Sequence, residues 1–207
     1  MNWVRVYLGV LFHPLEAFRR MKYYRDSLNY VLIAIMLIMV MIVRVAYIYL
    51  AHFPMVMLNP ENSNILLEIV KFIFPVVSWG IITFAITSIW DGECFMQECV
   101  AATTAAMVPY IILAIPVALL TRMLEIKQAG LFSFMNTVIY VWIALLLFIG
   151  LMTMNDYDFK QTVKVFLVSL AGVLLLWAVL MLLFTLTYQL YDFVKGILLE
   201  FRLRTGL

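Results

Sequence analysis

The chain has 207 residues, of which 66% are hydrophobic and 13% charged, with a formal net charge of +2. So little charge cannot coat a soluble globule of this length, and +2 is too small to suggest a nucleic-acid ligand. The composition is that of one integral membrane domain with no room for a soluble one.

Residues 1–27 form a segment apart. Trp3, Val4, Tyr7, Leu8, Leu11, Phe12 and Leu15 repeat at helical spacing, with Arg5, Gly9, Glu16 and Arg20 opposite them. The apolar stretch is too short to span a bilayer, so an interfacial helix is predicted, with a break or fresh start at His13-Pro14. No cleaved signal peptide is expected, because charge is interleaved from the start.

Five apolar segments follow, at about 28–51, 72–90, 100–121, 132–154 and 165–191. Each is close to the ~20 residues that a helix needs to cross hydrocarbon. The fold class predicted is an all-α membrane protein, with five transmembrane helices between an N-terminal and a C-terminal amphipathic interfacial helix. Within these segments the sequence shows one basic residue, Arg44, and no acid. Arg44 is expected to snorkel to the headgroups past Tyr47 and Tyr49, the alternative being a buried partner. The loop His52–Asn64 carries turn residues (Pro54, Asn59, Pro60, Asn62 and Ser63), and Glu68 and Lys71 open the second span as a surface pair. Pro75, Pro109 and Pro116 are expected to kink their helices.

Asp91-Gly92-Glu93, followed by Gln97 and Glu98, is the densest polar cluster near a span boundary. Two carboxylates around a glycine suit a divalent cation or a partner's arginine; the plainer reading is a solvated turn that marks the helix end. Cys94 and Cys99 are the only cysteines. On a helix they would point about 140° apart, so two reduced, structural thiols are expected. The threonines of the second and third spans and Asn136 suit helix packing better than conduction. Arg122, Glu125 and Lys127 form the next loop, and Asn155, Asp156 and Asp158 the last.

The fifth segment runs on into the tail 192–207. Leu190, Phe193, Val194, Ile197, Leu198 and Phe201 make one apolar face, with Asp192, Lys195 and Arg202 opposite. That face suits the interface or a partner, and Phe193, Val194, Ile197, Leu198 and Phe201 join Asp91, Gly92 and Glu93 as candidate docking residues. Five basic residues precede the first span and one, Lys71, follows it before the second. This asymmetry predicts a cytoplasmic N-terminus, although basic residues over all loops divide seven to six.

Catalytic motifs do not emerge. His13 and His52 flank a span and share no site, and neither a His-Glu-x-x-His nor a Gly-x-Ser-x-Gly pattern occurs. No enzyme activity, cofactor or metal is expected.

His13-Pro14-Leu15-Glu16-Ala17-Phe18, Asp91-Gly92-Glu93, Pro109-Tyr110 and Gln189-Leu190-Tyr191-Asp192-Phe193, running on to Glu200-Phe201-Arg202, together resemble the bacterial-type branch of the Yip family, the Ypt/Rab-interacting membrane proteins. The resemblance covers nearly the whole chain and implies the same five-span plan with no catalytic residues. Its bacterial side implies a plasma-membrane accessory or scaffold subunit beside a carbohydrate-type ABC importer, whose permease subunits would be partners along with the lipid bilayer. Its eukaryotic side implies an adaptor of GTPases in membrane traffic, or one that organises lipid. The Asp-Leu-Tyr-Gly-Pro-like element of that side does not occur here. A small transporter or channel is the remaining class.

Overall fold

The computed structural model describes residues 3–25, 28, 30–51, 64–124 and 126–205. These residues form α1 (Trp3–Phe12), α2 (Pro14–Tyr23), α3 (Tyr30–Leu50), α4 (Ile65–Ile89), α5 (Met96–Ala106), α6 (Val108–Leu120), α7 (Ala129–Asn155) and α8 (Phe159–Thr205). A 3-10 turn, Ile126–Gln128, leads into α7, and no strand occurs among the described residues. Five stretches are long and apolar enough to cross a membrane: α3, α4, α5 with α6, α7, and α8 to Gly196. The protein is therefore an all-α membrane protein of five spans. The expected turn residues from His52 to Ser63, and Glu125, lie outside the described residues.

α4, α5, α7 and α8 start earlier than hydropathy places them, and in the first two the early start brings in an acid. α4 begins at Ile65, where the Asn64 side chain accepts the Leu67 N–H at 3.4 Å. α5 begins at Met96, with the Glu98 carboxylate accepting the Phe95 N–H at 3.0 Å. Glu68 and Glu98 thus belong to membrane-length helices, which corrects the expectation of acid-free spans. A helix ends where its terminal N–H groups find acceptors, not where the last apolar residue stands.

The prolines act unequally. Helix pairing is interrupted at Met107, just before Val108-Pro109, while Pro75 and Pro116 are carried inside α4 and α6.

In the unit Met1–Ser169, α5 is the central element, packed on α3, α4 and α7. Its run Ala101–Ala106 is buried throughout, and small residues let neighbouring backbones close in. A Cβ on Gly80 of α4 would stand 3.3 Å from a Val100 methyl. Two buried threonines of α5 are satisfied within their own helix: Thr103 donates to the Cys99 carbonyl at 2.7 Å and Thr104 to Ala101 at 2.9 Å.

The break at His13-Pro14 makes α1 and α2 a hairpin docked on this bundle. Val6, Tyr7 and Val10 of α1 and Phe18 and Met21 of α2 are buried in one cluster with Leu146 and Met154. Phe18 sits on Gly150, where a Cβ would meet its ring at 3.2 Å.

The second unit, Leu170–Leu207, holds the remainder of α8, which runs to Thr205. Phe193 and Val194 are exposed. The side chains of Ile197, Leu198 and Phe201 lie outside the described residues, although the backbone stays helical to Thr205. The tail thus continues α8 without a break.

Candidate functional site: a clasp at one end of the bundle

Asp91-Gly92-Glu93 joins α4 to α5, and its geometry is repeated at the end of α7. In each case an aspartate takes the left-handed conformation, Asp91 at φ 52° and Asp156 at φ 51°. The next N–H reaches back five residues, Gly92 to the Thr87 carbonyl at 2.8 Å and Tyr157 to Met152 at 3.1 Å. This is the Schellman ending, with aspartate where glycine is commonest.

The two endings interlock. Asn155 accepts the Cys94 N–H at 3.3 Å, and the Tyr157 hydroxyl donates to the Trp90 carbonyl at 2.9 Å. Gly92 lies in the seam. A Cβ there would fall 2.6 Å from Asn155 Oδ1 and 2.7 Å from both Thr87 Cβ and the Tyr157 hydroxyl. Close approach, not loop flexibility, requires the glycine.

Lys22, from the last turn of α2, closes the clasp. Its Nζ donates to Glu93 Oε2 at 2.9 Å and to Asp156 Oδ2 at 2.5 Å. Partial burial works to lower the Lys22 pKa, but the hydrogen bonds and charges of Asp156 and Glu93 outweigh it, and the pKa is raised. The outer faces of the two acids remain open, 63% exposed for Glu93 and 68% for Asp156. Glu93 thus has an internal cation, and no group of three or more metal-ligand side chains occurs among the described residues. Gln97 adds a tie from α5 to the Leu28 carbonyl at 2.5 Å.

Cys94 and Cys99 are free and buried. Cys94 precedes α5 in extended chain, so the angle expected for two helical positions does not apply: the two thiols interact and share a cavity of about 20 Å³. The neighbouring thiol, and then burial, push the Cys94 thiol up.

A second polar group lies toward the opposite ends of the spans. Arg44 Nη2 meets Glu68 Oε2 at 3.1 Å, and Lys71 meets Glu68 Oε1 at 3.1 Å. The Arg44 and Glu68 side chains are each only 13% exposed, and the guanidinium stacks over Phe72 and Tyr47 at 5.2 and 5.7 Å. Snorkelling is therefore corrected to a partly buried ion pair between α3 and α4. The early start of α4 supplies the partner.

Of the residues expected to form a site, Asp91, Gly92 and Glu93 meet in the clasp, while Phe193 and Val194 belong to the other unit. Lys22, Asn155, Asp156 and Tyr157 were not among the expected site residues. Their one sequence signal is an aspartate directly after each apolar run, at Trp90-Asp91 and Asn155-Asp156.

No curated protein and no solved structure matches the chain. The Yip1 domain matches residues 8–186, from within α1 to far along α8. That match takes in α2 to α7, the clasp and parts of α1 and α8, and the chain belongs to the Yip1 family of membrane proteins.

Proposed function

We propose that the protein is a non-enzymatic adaptor that binds other integral membrane proteins through the clasp end of its bundle. The supporting observation is the clasp itself: Lys22 fixes Glu93 and Asp156 while leaving most of both carboxylates open. Acids held rigid in this way can accept charge-assisted hydrogen bonds from a partner's arginine or lysine with little ordering cost. The basic residues before the first span favour a cytoplasmic clasp, in a bacterial plasma membrane. The permease subunits of a carbohydrate-type ABC importer are the proposed partners, on the resemblance to the bacterial-type branch. The Phe193, Val194, Ile197, Leu198 and Phe201 face would add a lateral contact.

The test is Asp91→Asn with Glu93→Gln, which leaves Lys22 its Asp156 partner. Importer subunits should co-purify with the wild type in mild detergent and be lost from the variant, while yield and melting stay unchanged. Undiminished co-purification from the variant would sink the docking role. The family match favours a second reading, an adaptor of membrane traffic. A small GTPase among the co-purifying chains, with no importer subunit, would select it.

A further inference from the structure

The N-terminal hairpin carries charge near the clasp end of the bundle and an apolar tip deeper along α7. From Lys22 at Asp156, α2 runs along α7 past Phe18 on Gly150 to Pro14, which shares a groove with Leu146 and Trp142. Fourteen residues separate Trp142 from Asp156. At 1.5 Å per residue that is about 20 Å, so the hairpin tip lies well below the clasp.

Two hollows lie along the hairpin. One, of about 150 Å³, lies between α1 and α2 and is lined by Arg5, His13, Glu16 and Arg20 over a floor of Gly9 and Ala17. A Cβ on Gly9 would be only 3.9 Å from that of Ala17, so the helices nearly touch beneath it. Glu16 is engaged by Arg20 at 2.6 Å, and Arg5 has no ion-pair partner among the described residues. The hollow is therefore net cationic. The other, of about 510 Å³, starts at Leu11, Phe12 and Pro14, on either side of His13 in the chain. It continues along Leu113, Ile139 and Trp142 and is almost wholly apolar.

Arg20 stands two residues before Lys22, so the cationic hollow lies toward the clasp end, the level of a lipid headgroup, while the apolar groove lies deeper. An anion neutralises the hollow, and an acyl chain is what best fills an apolar groove at this depth. One molecule, a phospholipid, carries both an anionic headgroup and an acyl chain that reaches deeper than it. We propose that the α1–α2 hairpin is a binding site for an anionic phospholipid, its phosphate at Arg5 and Arg20 and one acyl chain against Trp142. A choline headgroup would add a cation to the same hollow and be disfavoured.

The test uses the full chain in detergent–lipid micelles containing phosphatidylglycerol or phosphatidylcholine with brominated acyl chains. The Trp142 signal is taken as wild type minus Trp142→Phe. Half-quenching should need several-fold less phosphatidylglycerol than phosphatidylcholine. The preference should vanish in Arg5→Gln/Arg20→Gln and persist in Arg5→Lys/Arg20→Lys. Equal quenching by the two lipids would reduce the groove to general lipid contact and overturn the proposal. Quenching by neither would mean that a protein chain covers the groove, and would overturn it equally. Loss of the preference on adding inorganic phosphate at constant ionic strength would make the hollow a soluble-anion site instead. Should the Gln variant fail to fold, the wild-type comparison decides alone.

Discussion

Gly92 shows how much a single hydrogen atom in place of a side chain decides. The sequence marks it as a turn glycine, but a turn glycine tolerates alanine when its backbone angles are ordinary and space is free. Here the α7–α8 turn closes over it, and three atoms stand within 2.7 Å of where a Cβ would lie. Gly92→Ala should therefore cost about 1–3 kcal/mol, the usual range for overpacking, read as a lowered melting temperature in detergent. Gly130→Ala is the control. Nothing stands within 4 Å of its Cβ position, at the start of α7. That variant should be neutral or stabilising by up to about 1 kcal/mol, the helical gain of alanine over glycine. Equal losses at both positions would mean that the seam around Gly92 is looser than described.

Between helices, the balance of charge follows from where α4 begins. Arg44 of α3 and Glu68 of α4 pair at 3.1 Å, largely out of contact with solvent. Glu68→Leu strands the guanidinium in a poorly solvated place, a loss that approaches the about 3–5 kcal/mol of fully buried pairs, whereas Arg44→Leu leaves Glu68 its Lys71 partner at 3.1 Å. Glu68→Leu should therefore destabilise strongly and Arg44→Leu less, and the double variant should recover most of the Glu68→Leu loss. A thermal-melt double-mutant cycle measures this, and additive losses would return Arg44 to snorkelling. The pairing was hard to foresee because Glu68 reads as a residue outside the span when only the apolar run is considered. Asn64 extends the helix back past it by supplying the missing acceptor.

On the scale of the whole molecule, the question is which side of the membrane holds the clasp. The native thiols are poor reporters, being 6% and 5% exposed at Cys94 and Cys99. Maleimide should label them only after denaturation. Introduced cysteines at exposed positions near the two ends of α7 are better: Asp158→Cys beside the clasp and Met123→Cys at the opposite end, where Met123 is 85% exposed. With a cytoplasmic N-terminus, impermeant maleimide on intact cells should label Met123→Cys, and label Asp158→Cys only after lysis. The reverse pattern would overturn the orientation and move the clasp outside.

The five spans and the hairpin break at Pro14 were legible in the sequence, because a bilayer imposes one strong, local rule. A span must be apolar for about 20 residues and must satisfy its own backbone. Which polar residues meet was not legible, because the bilayer sets no register between helices. Lys22 lies 71 residues from Glu93 and 134 from Asp156, and Tyr157 reaches Trp90 across 67. Asp91-Gly92-Glu93 alone is equally a solvated turn or a site. The tertiary structure decides it, by bringing two helix endings of the same shape against one another with a glycine between them and a lysine across them. Close packing and charge pairing act over a few ångströms in space, and those neighbours are remote in the chain.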